Sequence, residues 1–255
     1  MNTTEIIFKN RKEAGQKLAE ALKSYSAEKP IVLAMPRGGV VVAYEIAKAL
    51  NAPLDVIVSR KIGMPTQPEY AIGAIAPGDI QVLDARVNSY VLGGIAKGAI
   101  QDVIDREKKE MERRIKLYRG DKPPLDLKDK VVIIVDDGVA TGQTALVAIR
   151  SVRKMQPKKI VFACGVGAQD SMELLRQEAD EVISLNVPKT FYAVGQWYQD
   201  FGQVTDEEVL RLLSQAERHI AVGSEELSHN DMQGIFRGLA DVEVGNVEVY
   251  KKGKL

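Results

Sequence analysis

Two adjacent carboxylates, Asp136 and Asp137, close the apolar run VVIIV at 131–135 and are followed by Gly138-Val139-Ala140-Thr141-Gly142-Gln143-Thr144. A short apolar run bounded by a glycine-rich turn reads as a buried strand. In a parallel sheet, ligands bind beyond the carboxyl ends of the strands, so the two acids belong at the mouth of the sheet. The turn and the helix start behind it offer unpaired N–H groups and the positive end of a helix dipole, which together form a phosphate cradle. Thr141 and Thr144 can add hydroxyl donors. Other nucleotide motifs fit poorly. The P-loop needs its glycines one residue further apart and a lysine behind them, and the dinucleotide fingerprint is absent from this turn. The bland alternative is a capped helix after a strand. Against it, two adjacent acids with no cation nearby in the sequence are costly in a merely structural turn.

Other residues carry weaker signals. Met35-Pro36-Arg37-Gly38-Gly39 follows the apolar run IVLAM and by itself is an ordinary turn. Ser59-Arg60-Lys61 follows LDVIVS and alone would be surface charge. Tyr192, Trp197, Tyr198 and Phe201 cluster late in a chain with only 5% aromatic residues, and they read equally as core or as a stacking surface. Cys164 lies inside the apolar run VFACGV. A nucleophilic cysteine needs a base, and neither His219 nor His229 is close in sequence, so core packing is the reading. With both histidines late in the chain, a histidine-rich metal site or a Ser-His-Asp triad is hard to build.

The elements that must position these residues follow from the hydrophobic pattern. Residues 10–26 read as an amphipathic helix, IVLAM as a strand, VVAYEIAKAL as a helix ending at Asn51, and 54–59 as a second strand. Residues 60–84 are rich in Gly and Pro and read as irregular, with a short hairpin from AIGAIA and IQVLD. The run from 62 to 84 is expected to act as a mobile lid. A long helix is predicted from about 88 to 118, its charged second half a solvated face. Strands over 131–137, KIVFACGV and EVISLNV alternate with helices. The fold class is therefore α/β, a mainly parallel sheet flanked by helices, with a flexible loop or hood and a short C-terminal extension. Residues 1–223 form the main domain, and 224–255 form an extension of unknown role with a small hairpin around Gly245-Asn246.

Bulk properties narrow the function. The chain has 255 residues, 45% hydrophobic and 27% charged, with Lys plus Arg and Asp plus Glu both at 35. A net charge of zero argues against a bulk nucleic-acid or membrane-surface binder, so any anion site must be local. One cysteine excludes an internal disulfide and fits a reducing, cytoplasmic setting. The N-terminus lacks the apolar stretch of a signal peptide, and no apolar run approaches the ~20 residues of a membrane span.

The 131–144 segment resembles the PRPP (5-phosphoribosyl-1-pyrophosphate) motif of type I phosphoribosyltransferases: a hydrophobic strand, two acids, then a small-residue loop with Thr-Gly. The resemblance implies that Asp136 and Asp137 hold the ribose 2- and 3-hydroxyls and that Gly138, Val139, Ala140, Thr141, Gly142, Gln143 and Thr144 bind the 5-phosphate. Arg37, Gly38 and Gly39 resemble the family's pyrophosphate loop. Arg60 and Lys61 resemble the Arg-Lys pair of the orotate and adenine enzymes on the pyrophosphate side. Phe191 to Gly195 and Asp200 resemble the purine enzymes' base-stacking segment, with Tyr192 first and Trp197 second as the aromatic that receives the acceptor. Asp200 would assist a metal, although its offset from Gly195 differs by one residue. The resemblance covers about residues 10–218 and is nearest to a bacterial group whose acceptor is unassigned. It implies transfer of ribose 5-phosphate to a nitrogenous acceptor, a nucleobase by first choice, with release of pyrophosphate. Mg²⁺ would be held mainly through PRPP, and the protein would be a homo-oligomer, a dimer, without nucleic-acid or membrane partners. The alternatives are a non-catalytic PRPP- or nucleotide-binding regulator, and a hydrolase or phosphorylase acting on a ribose phosphate.

Overall fold

Strand β6, Val131–Val139, shows how this chain builds its core. Val131, Ile133 and Val135 enter one apolar cluster, while Val132 and Ile134 enter a second on the opposite face. Strand β7, Lys159–Gly167, does the same with Val161 and Ala163 against Ile160, Phe162 and Cys164. Side chains alternate across a strand, so a continuous apolar run fits only a sheet covered on both faces. Full burial of each such Val or Ile stabilises the fold by roughly 1.5–3 kcal/mol.

The computed structural model describes residues 7–84, 87 and 97–220. Five parallel strands lie in the order β2-β1-β6-β7-β8, where β1 is Ile31–Ala34, β2 Leu54–Val56 and β8 Glu181–Asn186. Helices α1 (Arg11–Ala21) and α2 (Gly38–Leu50) share the first apolar cluster with helix α3 (Lys97–Arg119) and helix α6 (206–220). Helices α4 (Gln143–Lys154) and α5 (Gln169–Arg176) cover the other face. The expected α/β architecture is the one observed. No described helix is long and apolar enough to cross a membrane.

Residues 60–84 depart from the expected irregular lid. The hairpin forms from β4 (Gln67–Ala76) and β5 (Ile80–Leu83), and a further strand, β3 (Arg60–Met64), completes a three-stranded antiparallel sheet. Ile62, Ile72 and Ile75 are fully buried in the first cluster, and Ala74 and Ala76 pack on Val147 of α4. This sheet is a packed hood rather than a free loop. Its Gly and Pro residues suggest irregularity because Gly63 and Pro68 sit where β3 and β4 shift register, while Pro65, Pro77 and Gly78 lie in the turns between strands. The predicted long helix runs from Lys97 to Arg119 where described. Residues 88–96 and the extension 224–255, with its expected hairpin, lie outside the described residues.

Candidate functional site

Strand β6 carries the two acids past the body of the sheet. It continues to Val139, with Gly138 opposite Val166 and Val139 opposite Gly167 on β7. Gly138 and Val139, expected in the phosphate loop, are thus strand residues, because β7 is long enough to pair with them. The turn is Ala140-Thr141-Gly142, with Gly142 in the left-handed region at φ 73° as the N-cap of α4. Ser171 Oγ donates to the Ala140 carbonyl at 2.6 Å and ties the turn to α5. Gln143 and Thr144 are the first residues of α4, where leading N–H groups have no helical acceptor.

The loop at 36–39 arrives from β1, the neighbour of β6. It contains a cis Pro36–Arg37 peptide and enters α2 at Gly38. A Cβ on Gly38 would overlap Asp137 Oδ2, and one on Gly39 would stand 2.7 Å from the Val135 carbonyl oxygen. Only glycines let this loop lie directly against the acids. Two segments about a hundred residues apart in sequence thus form one surface at the mouth of the sheet.

The acids meet different surroundings. The Asp137 N–H donates to Asp136 Oδ1 at 2.9 Å. Burial, and then the neighbouring Asp137 charge, push the Asp136 carboxyl well above the usual carboxylate range, against the pull of that N–H and of Arg11. Asp137 Oδ2 instead accepts from Arg11 Nε at 2.6 Å, and its carbonyl accepts from the Tyr198 hydroxyl at 2.5 Å. Along the chain no cation lies near the acids. Tertiary structure supplies one from the first residue of α1, 126 positions away.

The remaining predicted residues are distributed unevenly. Arg37 points an Nη1 toward Asp206 Oδ1 at 3.9 Å, and the same oxygen accepts from the Tyr118 hydroxyl at 2.6 Å. Arg60 is held by Glu107 at 2.7 Å, and Lys61 reaches the Glu69 carbonyl at 3.2 Å, so this Arg-Lys pair is already engaged on the hood and α3. Tyr192 is 84% exposed, with its N–H bound to Gln196 Oε1 at 3.2 Å. Trp197 differs from expectation. It is buried with Phe8, Ala14, Val166 and Tyr198 and offers no open face to an acceptor. Asp200 is exposed and caps Gly202 N–H at 3.2 Å. Among the described residues no group of three His, Cys, Asp or Glu side chains could hold a metal ion. Carboxyl oxygens of the kind Asp136, Asp137 and Asp200 carry are the hard donor type that Mg²⁺ takes together with waters and substrate phosphates. Cys164 is buried, and burial pushes its thiol up to about 12.

Sequence reasoning missed Arg11, Tyr118 and Asp206. Asn10 caps α1 by accepting the Glu13 N–H at 3.0 Å, and this helix-start signal was visible. Nothing in the local sequence, however, connects Arg11 to Asp137.

Residues 3–201 match the family model described as the phosphoribosyl transferase domain. A Mycobacterium tuberculosis H37Rv protein named "Putative phosphoribosyl transferase" is 41% identical over 216 residues, which is 84% of this chain and 48% of that protein. The chain therefore spans about half the length of the curated relatives it matches over most of its own length. The crystal structure of TT1426 from Thermus thermophilus is 40% identical, covers 82% of this chain and 98% of its own, and superposes with a TM-score of 0.67. A uracil phosphoribosyltransferase of Staphylococcus haemolyticus is 36% identical over 61 residues, 24% of this chain and 29% of that enzyme.

Proposed function

The chain belongs to the phosphoribosyl transferase domain family, and on that premise we propose that it transfers ribose 5-phosphate from PRPP to a nitrogenous acceptor, a nucleobase, with release of pyrophosphate. The observation that carries this reading is the close apposition of the Gly38-Gly39 loop, Asp136 and Asp137, with the Ala140–Gly142 turn directly continuing β6. One surface then offers acids for a diol, small residues for a diphosphate and a helix N-terminus for a terminal phosphate.

In this reading the turn at 140–142 and the start of α4 bind the 5-phosphate. Asp136 and Asp137 accept from the ribose hydroxyls and favour the positive charge that grows on the ring as the C1–O bond to pyrophosphate breaks. Arg37 and the amides of the 36–39 loop take up negative charge on the leaving pyrophosphate. Bound Mg²⁺ would neutralise part of that same charge. The acceptor nitrogen forms the new bond to C1 and loses its proton. Tyr192 is the exposed aromatic suited to a flat base. Arg60 and Lys61 take part only after exchanging Glu107 and Glu69 for phosphate oxygens.

Those existing ion pairs also favour a second reading, a non-catalytic PRPP- or nucleotide-binding regulator. Calorimetric titration with PRPP and Mg²⁺, followed by pyrophosphate release across a panel of purines, pyrimidines and small amines, separates the two. Tight PRPP binding with release for one acceptor class is the expected result. Binding without release for any acceptor supports the regulator. Absence of PRPP binding overturns the transferase and the PRPP-binding regulator alike, and leaves a nucleotide-binding regulator to be tested by the same titration with nucleotides.

A further inference from the structure

The N-terminal segment is stitched to the segment expected to receive the acceptor. Phe8 N–H donates to the Trp197 carbonyl at 2.9 Å, Gln199 N–H to the Phe8 carbonyl at 2.8 Å, and Asp200 N–H to the Lys9 carbonyl at 2.9 Å. The Phe8 and Tyr198 rings lie 5.3 Å apart, and Tyr198 stacks on Phe201 at 5.1 Å. Arg11 stands at the end of this clasp. Its guanidinium carbon lies 3.7 Å from the Phe201 ring centroid. Its Nη1 donates to the Gly202 carbonyl at 2.8 Å, and its Nε donates to Asp137 Oδ2 at 2.6 Å. The Arg11 side chain is 11% exposed and that of Asp137 14%. A second link runs alongside, because Gly165 leaves room for the Tyr198 hydroxyl to reach the Asp137 carbonyl.

We propose that Arg11 is a positioning residue for PRPP binding: it holds the Asp137 carboxylate in one orientation and neutralises it, and it anchors that acid to the 197–202 segment. The proposal rests on the phosphoribosyltransferase reading of the site. Asp136 and Asp137 are adjacent carboxylates that must receive a strongly anionic substrate. An uncompensated Asp137 charge at this strand end would repel it, whereas an Asp137 engaged by a guanidinium repels it far less. The planar side chain suits all three partners at once, since Nε serves the carboxylate, Nη1 serves the carbonyl from another side and the face rests on Phe201. Lysine supplies the charge but neither the fork nor the face.

A double-mutant cycle read by calorimetry with PRPP and Mg²⁺ tests this. Because charged hydrogen-bonded groups in one network couple strongly, Arg11→Met is expected to weaken PRPP binding about 10-fold in the natural background and by less than about 3-fold in an Asp137→Asn background. Arg11→Lys is expected to recover part of the loss, and it is the variant to use if Arg11→Met does not fold. Its own loss should likewise vanish with Asp137→Asn. The fluorescence of Trp197, the single tryptophan, reports whether the clasp is intact in each variant. Equal losses in both backgrounds would reduce Arg11 to a general support of the fold, and no loss in either would overturn the proposal outright. Wild-type protein that binds no PRPP defeats the underlying reading. Wild-type binding with unaffected Arg11 variants defeats this inference alone.

Discussion

Asp136 and Asp137 differ by one position and by almost everything that surrounds them. Asp136 is pressed against the Gly39 backbone, and burial and its neighbour push its carboxyl well above the usual carboxylate range. In the window above its ordinary value of 3.8, the folded state binds more protons than the unfolded chain, so stability falls as pH rises through that window. Asp136→Asn removes the cost. We expect its melting temperature to exceed that of the wild type at pH 7 and to match it near pH 4, as read by thermal denaturation across pH. The same substitution should weaken PRPP binding by at least ~10-fold, since a charge-assisted hydrogen bond contributes roughly 1.5–3 kcal/mol. A gain in stability paired with a loss in binding would identify the acid as kept for function. A folded Asp136→Asn/Asp137→Asn protein with unchanged affinity would refute that role. Cys164 is the contrasting case. Buried and with its thiol pushed up to about 12, it should resist thiol-specific reagents in the native protein and react only on unfolding.

At the scale of elements, the 191–201 segment splits its aromatics between two duties. Trp197 and Tyr198 pack inward against Phe8 and Val166, while Tyr192 stands in solvent. An exposed ring supports little of the fold, so Tyr192→Ala should leave the melting temperature unchanged. If Tyr192 stacks on the acceptor, the acceptor's KM rises and PRPP affinity holds, because base stacking contributes on the order of 1–3 kcal/mol. Steady-state kinetics with unaltered acceptor KM would leave Tyr192 without that role. The sequence could not divide these residues, because aromatic type alone does not say which face the backbone turns inward. The hood presents the same difficulty. Its glycines and prolines read as a loop, yet Ile62, Ile72 and Ile75 anchor three strands to the core. Ile72→Ala should destabilise the protein by about 2–5 kcal/mol in chemical denaturation. Native protein should also resist proteolysis within 60–83 equally with and without PRPP. Cleavage there that PRPP and Mg²⁺ suppress would restore the lid.

At the scale of the molecule, a chain with 35 residues of each charge sign has no general attraction for a polyanion. In the proposed reading, affinity for PRPP comes from the few groups gathered at the sheet mouth. Ligand that binds only the folded state at 100 times its Kd adds about 2.7 kcal/mol of stability, which for a domain of this size corresponds to a rise of roughly 5–10 °C in Tm. Differential scanning fluorimetry should show that rise with PRPP and Mg²⁺ and lose it in the Asp136→Asn/Asp137→Asn protein. A rise that persists in the double variant would move the binding site elsewhere.

The sequence by itself determined the parallel sheet, because runs such as VVIIV satisfy no environment but one covered on both faces, and helices separate them. It also determined the place of Asp136 and Asp137, since acids at the end of a buried strand can only emerge at its carboxyl edge. Local pattern reaches no further than a residue's neighbours along the chain. Only tertiary structure decided that Gly138 and Val139 extend the strand, since β7 had to be there to pair with them. Only tertiary structure buried Trp197 and exposed Tyr192, and only it brought Arg11 to Asp137. Each of those outcomes depends on which distant surface the fold presses against a residue, and adjacency in sequence does not encode that.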